Sequence, residues 1–302
     1  MSVSTPADLA GAVDRLARYF SGDAIAATRQ GILAREALGQ PADAALRAWL
    51  LGELQAELRP DGSIGGGAVP TIWRAHEFMD LGRGGDQPGT VRVVRWILSL
   101  QKQPGAFGEG CSPERHRYRI CEHFVAGFFS PSPVEHRVAP ITLPNGKVFR
   151  VESPARFAIS CLALRAVLRA NAGHQRLALV EQHLTSLAQM SELWTGWGDY
   201  FPPDAIVAGL HALALAPASY RGAIPRLIAL VAAHQDKHGL WPNTDLFPVL
   251  EALLDVGTAE AHAVVRRALP ALVERQRPDG AFGATAQQER AWIGLRALLW
   301  GR

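Results

Sequence analysis

Two kinds of apolar stretch alternate along this chain. In EAHAVVRRALPALVERQ (260–276) and YRGAIPRLIALVAAHQ (220–235), apolar residues recur at helical spacing with arginines on the opposite face. Such a pattern predicts amphipathic helices that pack by one side only, here the outer helices of an assembly. In PDAIVAGLHALALA (203–216) and TDLFPVLEALLDVG (244–257), the residues are apolar nearly all round, often with Asp or Thr where an N-cap belongs. These read as inner helices. With an N-terminal pair at about 7–20 and 24–38, the pattern predicts six outer-inner hairpins and about twelve helices, enough to close into a ring. Closure would let the first and last hairpins cover each other without polar capping repeats.

The hairpins are joined by a recurring turn. QKQPGAF (101–107), QDKHGLW (235–241) and QRPDGAF (276–282) all have the form Gln-x3-Gly-x-aromatic. LRPDGSI (58–64) is a degenerate copy, and QMSELWTGW (189–197) is a copy stretched by two residues. The copies end at positions 64, 107, 197, 241 and 282, so one interval is double the others. The doubled interval contains an insertion, 108–152, without helical period. Within it, HRVAPITLPNGKVFRV places Pro-Asn-Gly-Lys between β-prone flanks and predicts a β-hairpin. A long loop leaving an outer-to-inner turn should overhang one mouth of the ring, as a lid does.

The Gln-x3-Gly-x-Phe/Trp turns between amphipathic and apolar helices resemble the QW-type repeats of squalene-hopene and terpenoid cyclases, and the related repeats of protein prenyltransferase β subunits. The resemblance covers about residues 41 to 302. It implies an all-α fold, a single α6/α6 toroid with one irregular or β-hairpin insertion, and an apolar central cavity for isoprenoid chains. It also implies that the turn aromatics Phe107, Trp197, Trp241 and Phe282 stack on the repeat glutamine. The families' catalytic signatures are missing. No Asp-x-Asp occurs, so the alkene-protonating motif of the class II cyclases is absent, as are the Asp-rich magnesium motifs of class I. FPPDAIVAGLHALA sets Asp204 at the prenyltransferase zinc aspartate, but Ile206 stands where that site needs cysteine.

Candidate chemistry must then come from other residues. Asp204 and Asp245 stand near inner-helix starts, where they are either N-caps or cavity carboxylates. In an apolar cavity a carboxyl group retains its proton and acts as a general acid. Glu289, beside Arg290 in TAQQERAWIGL, is a third candidate, facing the cavity or marking a solvated rim. Trp73, Phe201 and Phe247 either line the cavity, where ring faces stabilise a carbocation, or pack in the core. In the insertion, Arg115, Arg117 and Arg119 form either a diphosphate clamp or a solvated basic loop. Cys111, His116, Cys121 and His123 are zinc-type ligands at a spacing matching no standard finger, and are equally loop residues that meet by chance.

Composition narrows the partners. The 302 residues are 48% hydrophobic and 20% charged, with three cysteines and a net charge of +3. The cysteines form no disulfide framework, there is no signal-peptide core and no apolar run of membrane-spanning length, and a cytoplasmic setting is expected. The scattered arginines argue against nucleic-acid binding. The expected partner is an apolar small molecule, with or without a diphosphate, and an apolar ligand is compatible with peripheral membrane contact. No cofactor follows from the residues. The leading expectation is a terpenoid-cyclase-like enzyme performing acid-catalysed cyclisation or rearrangement. The alternatives are a non-catalytic lipid- or partner-binding toroid and a metal-dependent enzyme using the insertion. With one toroid, either a homodimer or another subunit supplies a second wall, or the toroid and its lid enclose a smaller substrate.

Overall fold

The structure, a computed structural model, describes residues 6–41, 43–65, 67–82, 87–100, 138–170, 178–198 and 201–301. The helices are α1 Pro6–Ser21, α2 Asp23–Ala26, α3 Arg29–Ala37, α4 Ala44–Ala56, α5 Ala68–Gly82 and α6 Pro88–Ser99, followed after the insertion by α7 Glu152–Ala170 and α8 Ala178–Ser191. The last five are α9 Pro203–Ala214, α10 Ile224–Ala233, α11 Leu246–Val256, α12 Ala259–Glu274 and α13 Gln287–Trp300. Helices α3, α5, α7, α9, α11 and α13 each touch the next, and α13 returns to α3. These six are the inner ring. Around them α1, α4, α6, α8, α10 and α12 form the outer one, with α12 packed on α1. The all-α toroid expected from the repeat is therefore the observed architecture.

The turns show why the motif recurs. In the turn after α12, the Gln276 amide donates to Gly280 O at 3.3 Å and to Ala12 O in α1 at 3.1 Å, while its Oε1 accepts from Arg15 Nε at 2.8 Å. In the turn after α10, the Gln235 amide donates to Gly239 O at 3.1 Å and to Val264 O in α12 at 3.2 Å. One side chain thus closes its own turn and fastens it to the next outer helix. The motif glycine completes the joint. Gly280 has φ 93°, and a Cβ there would lie 2.6 Å from Arg15 O, just as Gly239 abuts Arg267 O and Gly62 abuts Arg92 O. Only a residue without a side chain meets both demands.

The two degenerate turns are fastened differently. Leu58 replaces the glutamine of the first, and there Arg92 Nη2 in α6 donates to Arg59 O at 2.7 Å. In the stretched turn Gln189 is exposed, and Arg226 of α10 donates to Trp194 O at 2.7 Å and Ser191 O at 2.6 Å. In both, an arginine on the following outer helix makes the fastening that the glutamine makes elsewhere. The stretched turn also changes which aromatic is seated. Trp194 packs against Gly209 of α9, as Phe282 packs against Gly294 of α13, whereas Trp197 stacks on His234 and donates to Pro242 O at 3.2 Å. The 101–107 copy lies outside the described residues.

The insertion ends in the expected hairpin. Strands β1 Ile141–Thr142 and β2 Val148–Phe149 pair antiparallel, Ile141 opposite Phe149 and Thr142 opposite Val148. Gly146, at φ 86°, donates its amide to Leu143 O at 2.9 Å to close the tip. At the base Glu152 accepts from the Val138 and Ala139 amides at 2.8 to 3.1 Å and from Arg156.

Two glycines separate strain from collision. Gly39 is also left-handed, at φ 75°, but a Cβ there meets nothing within 4 Å. Gly39→Ala should cost about 1 kcal/mol from the left-handed backbone alone. Gly280→Ala should cost about 3 kcal/mol or more, because the joint to α1 must also open. Denaturant unfolding of both variants checks the difference.

Candidate functional site

Inside the ring, the inner helices carry charges as well as apolar residues, and several of these charges are paired across helices. Asp80 of α5 sits between two arginines, with Arg29 Nε at 2.7 Å from Oδ2 and Arg169 Nη2 at 2.6 Å from Oδ1. Arg29 extends onward to Glu289 Oε2 at 3.2 Å, and its guanidinium lies 4.9 Å over the Trp73 ring. Arg169 also donates to His76 Nδ1 at 3.0 Å, which leaves His76 Nε2–H to face Leu162 O at 3.3 Å. Farther round, Arg165 pairs with Glu251 at 3.0 Å, and Asp255 joins His211 at 2.7 Å and Arg296 at 2.6 Å. Apart from Glu289 and Trp73, sequence reasoning assigned no role to these residues. Arg29 and Glu289 lie 260 positions apart, so no local pattern could pair them.

The two carboxyls on Arg29 are not equivalent. Burial works against the charge of Asp80, but Arg29 and Arg169 outweigh it and hold the carboxyl below its ordinary range. For Glu289 burial is the largest influence and raises its proton affinity. Arg29 opposes this at longer range and shared with Asp80, while the negative Glu251 and Asp80 reinforce it. Arg29 and the Gln30 amide, at 2.9 Å, both approach Oε2 of Glu289. Oε1 receives no hydrogen bond from the described residues. One oxygen is anchored and the other is not.

Glu289 also borders space. A cavity of about 670 Å³ opens at the mouth of the ring, lined by Tyr19, Gln30, Trp73, Thr142, Pro144 and Glu289 among others. The structure therefore brings together Trp73 and Glu289, two residues singled out separately in the sequence. Its volume falls within the range of small-molecule sites. A larger hollow, about 940 Å³, lies between outer helices α10 and α12 and includes no inner-helix residue, so it is separate from the mouth.

The other candidates take different places. Asp204 accepts from Thr244 Oγ1 at 2.5 Å through one oxygen and pairs with Lys147 at 2.5 Å through the other. Asp245 is the N-cap of α11, accepting from Phe247 N at 3.1 Å, and its second oxygen meets Arg290 at 2.6 Å. Phe247 lies under Arg290 at 5.0 Å and against Phe282 at 5.3 Å, beside a cavity of about 450 Å³ that also holds Asp245. Phe201 is buried against Trp194. Arg115, Arg117, Arg119, Cys111, His116, Cys121 and His123 lie outside the described residues. Among the described residues no group of three or more His, Cys, Asp or Glu could hold a metal, and no helix is long and apolar enough to cross a membrane.

The expected apolar central cavity differs most from what is seen. The described inner helices are bridged by ion pairs, and beneath the β-hairpin they leave a chamber of about 40 Å³. The physical reason is that each buried charge demands a partner within reach, and these partners come from other inner helices, as Arg165 of α7 meets Glu251 of α11. Space for a ligand of isoprenoid size lies at the mouth.

No family profile matches the chain, and no curated protein matches its sequence. A comparison of structures finds a type II terpene cyclase from Scytonema, in complex with the substrate geranylgeranyl dihydroxybenzoate. It is 13% identical over 97% of this chain and 85% of that one, with a TM-score of 0.45.

Asp80 should govern Glu289 through Arg29. Asp80→Asn removes a negative charge that raises Glu289 and frees Arg29 to approach it more closely. Both effects lower its proton affinity, so its titration in ¹³C NMR should move to lower pH. Raised in the fold, Glu289 contributes stability that is present below its unfolded pKa and is lost as pH rises through the folded value.

Proposed function

We propose that this chain is a terpenoid-cyclase-like enzyme that holds an elongated, unsaturated apolar substrate of isoprenoid type in the mouth cavity and protonates it from Glu289. The asymmetric anchoring of Glu289 carries this reading. Its Oε2 is held by Arg29 and Gln30, its Oε1 is without a donor among the described residues, and its proton is retained to higher pH than usual.

In the proposed step, the Oε1 proton passes to one alkene carbon, a C–H bond forms and the π pair is consumed, leaving a carbocation on the other carbon. The next double bond attacks that centre, closing a ring and moving the positive charge along the chain. The exposed parts of Trp73 and Tyr19 offer π-density to the cation. The carboxylate left on Glu289 is stabilised by Arg29 and Gln30, already in place on its anchored oxygen. Loss of a proton to water ends the sequence, and Glu289 regains one from solvent, so the net reaction is an isomerisation. Asp204 and Asp245, each already engaged at both oxygens, hold Lys147 and Arg290 in this scheme rather than supply protons.

A second reading, a non-catalytic lipid- or partner-binding toroid, is favoured by the ion pairs that bridge the described interior. Incubation with farnesol and geranylgeraniol, analysed by mass spectrometry for cyclic isomers, separates the two. The enzyme reading expects turnover that falls about 100-fold or more in Glu289→Gln, with binding kept by Trp fluorescence. Binding without turnover in the wild type would favour the second. Activity should fall as pH rises through the raised Glu289 value, and Asp80→Asn should move that limb to lower pH.

A further inference from the structure

The hairpin has two working faces. Thr142 and Pro144 line the mouth cavity, while Leu143, Asn145, Lys147 and Phe149 roof the 40 Å³ chamber below. This alternation of neighbours to opposite sides, regular in the strands and continued through the tip, makes one thin element the wall between two spaces. The chamber is lined by Ala158, Leu162, Val207 and Pro248, with His211 and Arg165 among its polar residues.

The tip is held to the ring by Leu143, packed on the core, and by polar contacts. Lys147 pairs with Asp204, the Asn145 amide donates to Glu251 at 3.2 Å, and Arg290 Nε donates to Asn145 O at 3.1 Å. By contrast, Glu152 clamps the backbone at the base, and Ile141 and Phe149 are buried beside it. Two strands of two residues are marginal without such attachments. Lys147 and Asp204 retain 19% and 18% of their side-chain exposure, so water competes for their contact. The base is thus an anchor, and at the tip solvent reaches the Lys147–Asp204 latch, while Asn145 is buried on Glu251.

We propose that the tip, residues 143–147, is a latched partition whose release joins the mouth cavity to the inner chamber. The joined space forms a single channel that admits the chain of an elongated apolar ligand toward His211. The identity of that ligand rests on the function proposed above; the opening of the partition does not. How far the tip yields would then set the chain length accepted.

Cys161 reports on the opening without any substrate, because it lines the chamber and is buried. Burial also raises its thiol, so little reactive thiolate exists while the chamber is closed. The experiment is native-state labelling of the full chain with methyl methanethiosulfonate, following Cys161 by peptide mass so that Cys111 and Cys121 do not interfere. Lys147→Met and Asp204→Asn, each removing one half of the latch, should speed Cys161 labelling by about 10-fold, the scale of a lost charge-assisted hydrogen bond. Hydrogen exchange of residues 143–147 should quicken in both, with exchange in the inner helices unchanged. Labelling that stays at the wild-type rate in both variants, or rises only in step with inner-helix exchange, would overturn the partition. Either outcome stands whether or not Glu289 proves to be an acid.

Discussion

Ring closure is the constraint on which the structure depends. An open row of helical hairpins would leave an apolar face at each end, and this chain covers both by bringing α12 and α13 against α1 and α3. The seam is a polar joint as well as an apolar one. Gln276 reaches Ala12 O and Arg15, and Gly280 lets the two backbones approach. Because the same joint is repeated between α10 and α12, closure uses the local chemistry of the repeat rather than a special device. Where glutamine is replaced, as at Leu58, or turned outward, as at Gln189, Arg92 and Arg226 do its work from the opposite side of the joint.

Closing the ring turns six helices inward and with them their charges. Buried ions destabilise unless matched, so the inner residues are arranged as pairs and chains rather than left singly. The chain from Arg169 through Asp80 and Arg29 to Glu289 ends with a carboxyl that receives only a share of one arginine. That shortage makes Glu289 different from the other buried acids. Glu251 and Asp255 are likewise buried, but their cations outweigh the cost and keep both below the ordinary range. The difference between a structural ion and a candidate acid is thus one of stoichiometry and distance within the network.

The fold was legible because its determinants are local. Each turn of the form Gln-x3-Gly-x-aromatic states its own geometry, Asp245 occupies the cap position its place before an apolar run indicates, and Asn145-Gly146 marks the hairpin. The site was legible only in part. Glu289 and Trp73 could be named as a charge among apolar neighbours and an aromatic near a helix start, but nothing local joins them. Their joining residue, Arg29, opens a helix in the first hairpin, where it resembles any arginine at a polar boundary. Lys147 likewise reads as a turn residue until the ring places it on Asp204. Three-dimensional closure creates these pairs, so a reading that proceeds along the chain finds their members and not their partnership.

The most direct test of the account is infrared difference spectroscopy of wild type against Glu289→Gln, followed as pH rises past the ordinary glutamate pKa of about 4.3. The account expects a protonated-carboxyl C=O band in the wild type that shifts in D₂O and is missing from the variant. A Glu289 band that gives way to carboxylate at or below that ordinary value would contradict it, because the group that is meant to donate the proton would release it as readily as any glutamate.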